Sequence, residues 1–202
     1  MGLREEKKER TRREILDVAL SLFRERGYDH TRVQDIIASV GISEGTFFNY
    51  FPTKESLLHE FAVDQVDLYR GMVEHELEAR DRPVPDRLRE LMKVTAIAIA
   101  QDRELQEVIY TRSDLFEAEG VLKEKTLRMY DLLAELFETG QERDEIRDDV
   151  EPKQLAEVLM GIYYLTTLNW LTGWWGDGGE GLEPRLGRAV DLFLDGCVGR
   201  RA

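Results

Sequence analysis

The residues with the widest chemical reach are concentrated between Thr31 and Leu58, in the run TRVQDIIASVGISEGTFFNYFPTKESLL. Its unusual part begins at Glu44. Gly45, Thr46, Phe47, Phe48, Asn49 and Tyr50 read as a helix of about seven residues, too short to hold itself together in water without neighbours to dock on. It cannot bury all of these side chains against a small head. Insertion into a nucleic-acid groove resolves the conflict. Thr46, Asn49 and Tyr50 can bond phosphates or base edges, Phe47 suits a thymine methyl, and Gly45 lets the backbone approach a sugar-phosphate wall.

Other constellations offer less. His30, His59 and His75 are scattered, none three or four residues from another, so no helix face presents a metal pair and no metal is expected. Asp148 and Asp149 imitate catalytic carboxylates, but no nucleophile adjoins them and a solvated loop explains them better. Ser113 and Asp114 have no histidine at a spacing that reveals a triad. The segment GDGGEG lacks the Lys-Ser/Thr of a phosphate loop and does not lie between a strand and a helix. Neither enzymatic activity nor a cofactor is expected.

The elements that must position Glu44–Tyr50 are legible. Thr31 and Gln34 have the spacing of a capping box, so a helix is predicted from Arg32. Val33, Ile36, Ile37 and Val40 follow at helical spacing, and Gly41 supplies a left-handed stop. Ile42 can plug between the two helices and Ser43 caps the second. Helix, short turn with glycine, helix is the helix-turn-helix pattern, whose second member enters the major groove. Pro52 ends that member. Thr53 caps a long helix to about Arg80, with Lys54 in its first turn, where amides favour anions.

The run Thr31, Ile36, Ala38, Gly41, Ile42, Ser43, Gly45, Thr46, Phe47, Asn49, Tyr50, Phe51, Lys54 and Leu57 resembles the DNA-binding segment of the tetracycline-repressor (TetR) family of bacterial transcription regulators. Most members carry Tyr where this chain has Phe48, and Ala where it has Ile37 and Val40. The missing hydroxyl at 48 removes a phosphate bond. With the groove chemistry above, the resemblance gives a DNA-binding set of Thr31, Arg32, Gln34, Ser43, Gly45, Thr46, Phe47, Phe48, Asn49, Tyr50 and Lys54. It also implies that the start of the first helix, with Arg12 and Arg13, approaches the phosphate backbone.

A net charge of −13 in 202 residues looks wrong for a DNA binder. The charge is unevenly divided: residues 1 to 58 hold 10 Lys/Arg and 10 Asp/Glu, so all of the excess acid lies beyond them. Arg4, Lys7, Lys8, Arg10, Arg12 and Arg13 form a basic N-terminal arm suited to salt-dependent phosphate contacts. An acidic remainder would orient docking, though a plain solvated surface explains it as well. No apolar run reaches the ~18 residues needed to span a bilayer. The start lacks a secretory h-region, and Glu6 breaks a myristoylation motif. The single cysteine, Cys197, excludes an internal disulfide and fits a cytoplasmic setting.

The rest reads as helices, with no convincing period-2 strand. A first helix over residues 5 to 26 stops at Gly27. DRPVPD, residues 81 to 86, precedes a helix from Asp86; a shorter one runs after Asp102 to about Phe116, and another begins at Gly120. Pro152 sits at a first helical position, and apolar residues then run nearly all round from Leu155 to Trp175, as in a helix buried on more than one side. A last amphipathic helix spans Pro184 to Val198. The expectation is an all-α chain of about nine helices: a helix-turn-helix domain over 1–52, then a ligand-binding and dimerisation domain over 53–202. The last two helices carry more apolar surface than one domain can cover, which suggests a homodimer. The family resemblance implies the same arrangement, and a two-fold dimer fits a palindromic operator.

Gln65, Tyr69, Tyr110, Phe116, Tyr130, Tyr163, Thr166, Asn169, Trp170 and Trp174 form an aromatic set with a few polar groups, read either as core packing or as the wall of an apolar ligand pocket. Few basic residues share those faces, which favours a hydrophobic or aromatic effector over a multiply anionic one. The composite expectation is a ligand-responsive repressor of double-stranded operator DNA. Two rivals stand beside it: a helical enzyme acting on a hydrophobic substrate, and an architectural DNA-binding protein with no ligand. A cavity in the second domain favours the sensor, and a filled core the architectural protein.

Overall fold

The computed structural model describes residues 2–112, 120–174, 176 and 179–197, and among these nine helices account for the regular structure, with no strand. They are α1 (Leu3–Arg26), α2 (Val33–Val40), α3 (Glu44–Tyr50), α4 (Glu55–Glu78), α5 (Val84–Gln101), α6 (Arg103–Arg112), α7 (Val121–Glu142), α8 (Pro152–Thr172) and α9 (Leu182–Cys197). Two compact units result, one from described residues within Met1–Asp64 and Glu104–Phe116, the other within Gln65–Arg103 and Glu117–Ala202. The division falls inside α4, and α6 is grouped with the first unit.

In the first unit, Ile15, Leu16, Ala19, Leu22 and Phe23 of α1 bury the stripe that their 3 and 4 spacing produces. Ile36, Phe47, Phe51, Leu57, Leu58 and Phe61 complete the core. Gly41 takes the left-handed conformation at φ 76° and closes α2, its N–H bonding the Ile37 carbonyl at 2.9 Å. Ser43 caps α3, its Oγ accepting the Thr46 N–H at 3.1 Å. Thr53 precedes α4 as expected, with its Oγ1 accepting the Ser56 N–H at 3.2 Å.

The Thr31–Gln34 capping box is not formed. Thr31 is buried, and its hydroxyl donates to the carbonyls of Leu22 and Gly27 at 3.2 and 2.9 Å. A hydroxyl turned back onto α1 cannot cap α2. That helix starts one residue later, at Val33, and the Asp35 carboxylate takes the Arg32 N–H at 2.9 Å.

In the second unit α7 packs on α8, α5 on α9, and α8 on α9, around Leu88, Ile99, Leu136, Phe137, Leu159, Leu186 and Val190. Helix α5 starts at Val84 rather than Asp86, because Pro83 is extended and Pro85 sits in the first turn, where no N–H is needed. The orphan Val84 N–H donates to the Glu145 carboxylate at 2.6 Å. Helix α8 stops at Thr172 with Gly173 left-handed, short of Trp175. Gly140 is required for packing: a Cβ there would stand 2.6 Å from Ile146 Cγ1 and 3.3 Å from Val84 Cβ. Among the described residues no helix is long and apolar enough to cross a membrane.

Candidate nucleic-acid interface and effector cavity

Helix α3 presents Glu44, Gly45, Phe48 and Asn49 to solvent, a stripe at i, i+1, i+4 and i+5, with Thr46 and Tyr50 half-buried at its edge. Open space surrounds Gly45, so a phosphate wall can come close to its backbone. Ser43 and Thr46 hydroxyls lie 2.8 Å apart. Ser43, Arg32 and Gln34 are exposed. This stripe displays one carboxylate, one ring and one carboxamide, which suits base edges more than phosphates.

Three residues of the sequence-derived DNA set are engaged inside the protein instead. Phe47 is 0% exposed. Its ring lies 6.2 Å from that of Phe51, so it is the docking anchor of α3 and cannot meet a thymine methyl. Phe48 is the accessible ring, 42% exposed and set edge-on against Phe47 at 5.3 Å and 88°. Thr31 is buried, as described above. Lys54 turns inward: its ammonium donates to the Tyr28 carbonyl and lies 3.9 Å from the centroid of the Tyr28 ring. Burial lowers its pKa. The alternative to phosphate was invisible in the sequence because it depends on where Tyr28 sits.

The basic arm is likewise divided. Arg12 forks onto the Glu60 carboxylate at 2.9 and 2.5 Å and also donates to the Tyr50 carbonyl at 3.1 Å. Hydrogen bonding to Glu60 raises its pKa. Arg13 pairs with Asp64. Both arginines brace α1 against α4. Arg4, Lys7, Lys8 and Arg10, in the first half of α1, are exposed.

A second cluster surrounds Tyr28, in the turn between α1 and α2. The phenol donates to Glu55 at 3.3 Å. Arg112, in the last turn of α6, forks onto Asp29 at 2.6 and 2.7 Å and stands 5.8 Å from the Tyr28 ring. Burial and the Glu55 charge push the Tyr28 phenol well above its ordinary range. One buried ring thus touches the first turn of α4 and the last turn of α6.

In the second unit, Tyr69 and Tyr163 from the aromatic set do converge. With Val73, Leu91, Met92, Thr95, Met129, Leu133 and Met160 they line a void of about 20 Å³. The Tyr69 hydroxyl bonds Gln65 at 3.1 Å, and burial followed by contact with Tyr163 raises its pKa strongly. Trp170 is held elsewhere, its indole N–H on the Glu180 carbonyl at 3.1 Å and its ring 4.5 Å from the Arg103 guanidinium. Thr166 and Asn169 border a different depression, with Glu180, Arg185 and Arg188. Trp174 is 79% exposed, past the end of α8. Tyr130 is half-buried on α7, and Tyr110 belongs to the first unit. Phe116 lies outside the described residues.

The larger space was not anticipated. A groove of about 430 Å³ runs between α4 and α5, lined by Asp67, Leu68, Gly71, Met72, His75, Glu76, Glu90, Leu91 and Val94. Its only sequence signal was apolar residues with no facing partner: Leu68 and Val94 are 49% and 38% exposed. Among the described residues no group of three metal-ligating side chains forms.

Comparison with known proteins agrees with this architecture. The family model described as bacterial regulatory proteins of the tetR family matches residues 15–61, and the one described as the tetracyclin repressor-like C-terminal domain matches residues 81–197. The transcriptional repressor KstR2 of Mycolicibacterium smegmatis is 31% identical over 147 residues, 69% of this chain and 71% of that protein. KstR2 of Rhodococcus jostii is 28% identical across 93% and 91%. Among solved structures, Thermus thermophilus FadR in complex with lauroyl-CoA superposes with a TM-score of 0.73 at 28% identity, over 95% of this chain and 97% of that one. From its capped recognition helix to its helical C-terminal domain, this chain belongs to the TetR family of bacterial transcriptional regulators.

Proposed function

We propose that the chain is a repressor that binds a palindromic operator as a homodimer and is released by a predominantly apolar small molecule. The observation that carries the DNA reading is the exposed stripe on α3, where Gly45, Phe48 and Asn49 stand clear on a helix anchored by buried Phe47. Dimerisation is supported by apolar residues left uncovered on the last two helices: Val158 and Leu165 on α8 are 47% and 57% exposed, and Leu192 on α9 is 75% exposed. Val158 and Leu165 are two turns apart and share a face. A two-fold axis there would present two recognition helices to half-sites about one DNA turn apart.

The effector class is supported by the void beneath Tyr69, whose lining holds no charged side chain. The Thermus relative crystallised with lauroyl-CoA offers a precedent for an acyl chain. Release requires that the effector bind the DNA-incompetent arrangement more tightly, since a ligand shifts an equilibrium only by its differential affinity. The architectural reading retains one observation in its favour: the interior void is far below the roughly 300–1,000 Å³ of ordinary ligand pockets.

Selection of bound sites from random DNA tests the proposal. A palindromic consensus is expected, with affinity falling as effector is added. Recovery of sequences with no two-fold symmetry would exclude the dimer reading. A tightly binding effector that left DNA affinity unchanged would exclude the switch.

A further inference from the structure

The interior void and the outer groove share one wall residue. Leu91 lines both the 20 Å³ space beneath Tyr69 and the 430 Å³ groove between α4 and α5. It is 4% exposed, so its side chain stands as a partition between the two spaces. The inner side is compliant, because Met92, Met129 and Met160 contribute to the wall, and unbranched thioether side chains reshape at low cost. The groove alone falls within the usual size of a ligand site, and the void alone does not.

The rim chemistry selects the occupant. Each carboxylate on the groove already has a cationic partner: Asp67 pairs with Lys125 and Arg70, Glu76 with Arg82 at 2.6 Å, and Glu90 with Lys93 at 3.8 Å. A neutralised rim over the apolar floor of Leu68, Met72, Leu91 and Val94 neither attracts nor needs a charge. Beyond the partition, Tyr69, Thr95 and Tyr163 are the hydroxyl-bearing residues of the void's lining, with the Tyr69 hydroxyl bonded to Gln65.

We infer that the α4–α5 groove is the outer half of the effector site, that Leu91 is its internal gate, and that the ligand portion held there is an elongated, uncharged apolar chain. The chain lies along the groove, displaces the Leu91 side chain and enters the enlarged void. This rests on the sensor reading proposed above but assigns it a route and a ligand shape.

The test uses the full-length protein and 1-dodecanol as probe, measured by displacement of the neutral dye Nile red. Gly71 lines the groove, and an added side chain there meets no atom within 4 Å, so Gly71→Trp fills the groove without disturbing the core. Dodecanol is expected to bind wild type, to bind Gly71→Trp at least about tenfold more weakly, and to bind Leu91→Ala several-fold more tightly, since the ligand fills space the side chain vacates. Circular dichroism confirms that both variants are folded. Failure of dodecanol to bind wild type, or equal affinity for wild type and Gly71→Trp, overturns the assignment. The same titrations are repeated with selected operator DNA present. Binding sensitive to both substitutions but without effect on DNA affinity would leave the site standing and remove the sensor reading, so the two failures are distinguishable.

Discussion

Phe47 and Phe48 are chemically identical neighbours with opposite fates, and the difference decides what α3 can read. Phe47 is wholly buried, while Phe48 leaves a large part of its ring in solvent. Replacing Phe47 with Ala should therefore unfold the head rather than change its preference, at a cost of about 3–5 kcal/mol as for other buried rings. Differential scanning calorimetry would register that loss, and an unchanged melting profile would contradict the burial. Phe48→Ala should leave the melting temperature within a few degrees and weaken operator binding by about 1 kcal/mol or more if the ring packs on a thymine methyl. Deoxyuridine substituted for each operator thymine provides the check. At one position the loss should be large in wild type and absent in Phe48→Ala; additive losses everywhere would exclude methyl reading. Lys54 calls for a parallel revision, since its inward ammonium makes Lys54→Met a change in head stability before it is a change in phosphate contact.

Among the elements, α6 is tied to the head by chemistry that the sequence scatters over more than eighty residues. Arg112 and Asp29 form a bidentate pair whose side chains remain 50% and 61% exposed, so it contributes little to global stability. Its value is positional. Asp29→Asn should leave the melting temperature almost unchanged and accelerate amide exchange in the last turn of α6; unaltered exchange there would show that the pair does not hold the helix. The Asp67 contact between α4 and α7 gives a pH-dependent counterpart. The Lys125 hydrogen bond lowers the Asp67 pKa below its ordinary value. Its contribution is therefore present above the unfolded carboxylate pKa and is lost as pH falls through the lower folded one. Lys125→Met should lower stability at neutral pH and change it little in acid, which flattens the acid limb of the stability curve. An acid limb identical to wild type would refute the coupling.

At the scale of the whole molecule, the proposed dimer rests on the uncovered residues of α8 and α9. The double variant Leu165→Asp and Leu192→Asp places charges where apolar contact is proposed. Analytical ultracentrifugation should show the monomer, with operator affinity reduced to that of a single head. A stable dimer in that variant would relocate the interface. Gly140 marks the packing limit of the second unit. Because an added Cβ meets Ile146 and Val84, Gly140→Ala should destabilise by roughly 1–3 kcal/mol, typical of overpacking, despite the better helix propensity of alanine. Chemical denaturation measures the sign.

Sequence alone determined the helical architecture, the turn at Gly41, the cap at Ser43 and the place of α3, because these follow from periodicity and local backbone chemistry. Apolar spacing along Ile15–Phe23 and the glycine stops operate within a few residues and need no distant partner. It also determined the membership that the comparisons confirm. Only the tertiary structure decided which of two adjacent rings is buried, that Thr31 serves α1 rather than α2, and that Lys54 and Arg12 spend their charge inside the head. It likewise decided that, among the described residues of the aromatic set, Tyr69 and Tyr163 gather at the void, with Gln65 bonded to Tyr69, and that a larger groove lies between α4 and α5. Most of these depend on contacts between residues far apart in sequence, and a shift of one to three residues at a helix end, as at the ends of α2, α5 and α8, moves a side chain from one environment to another.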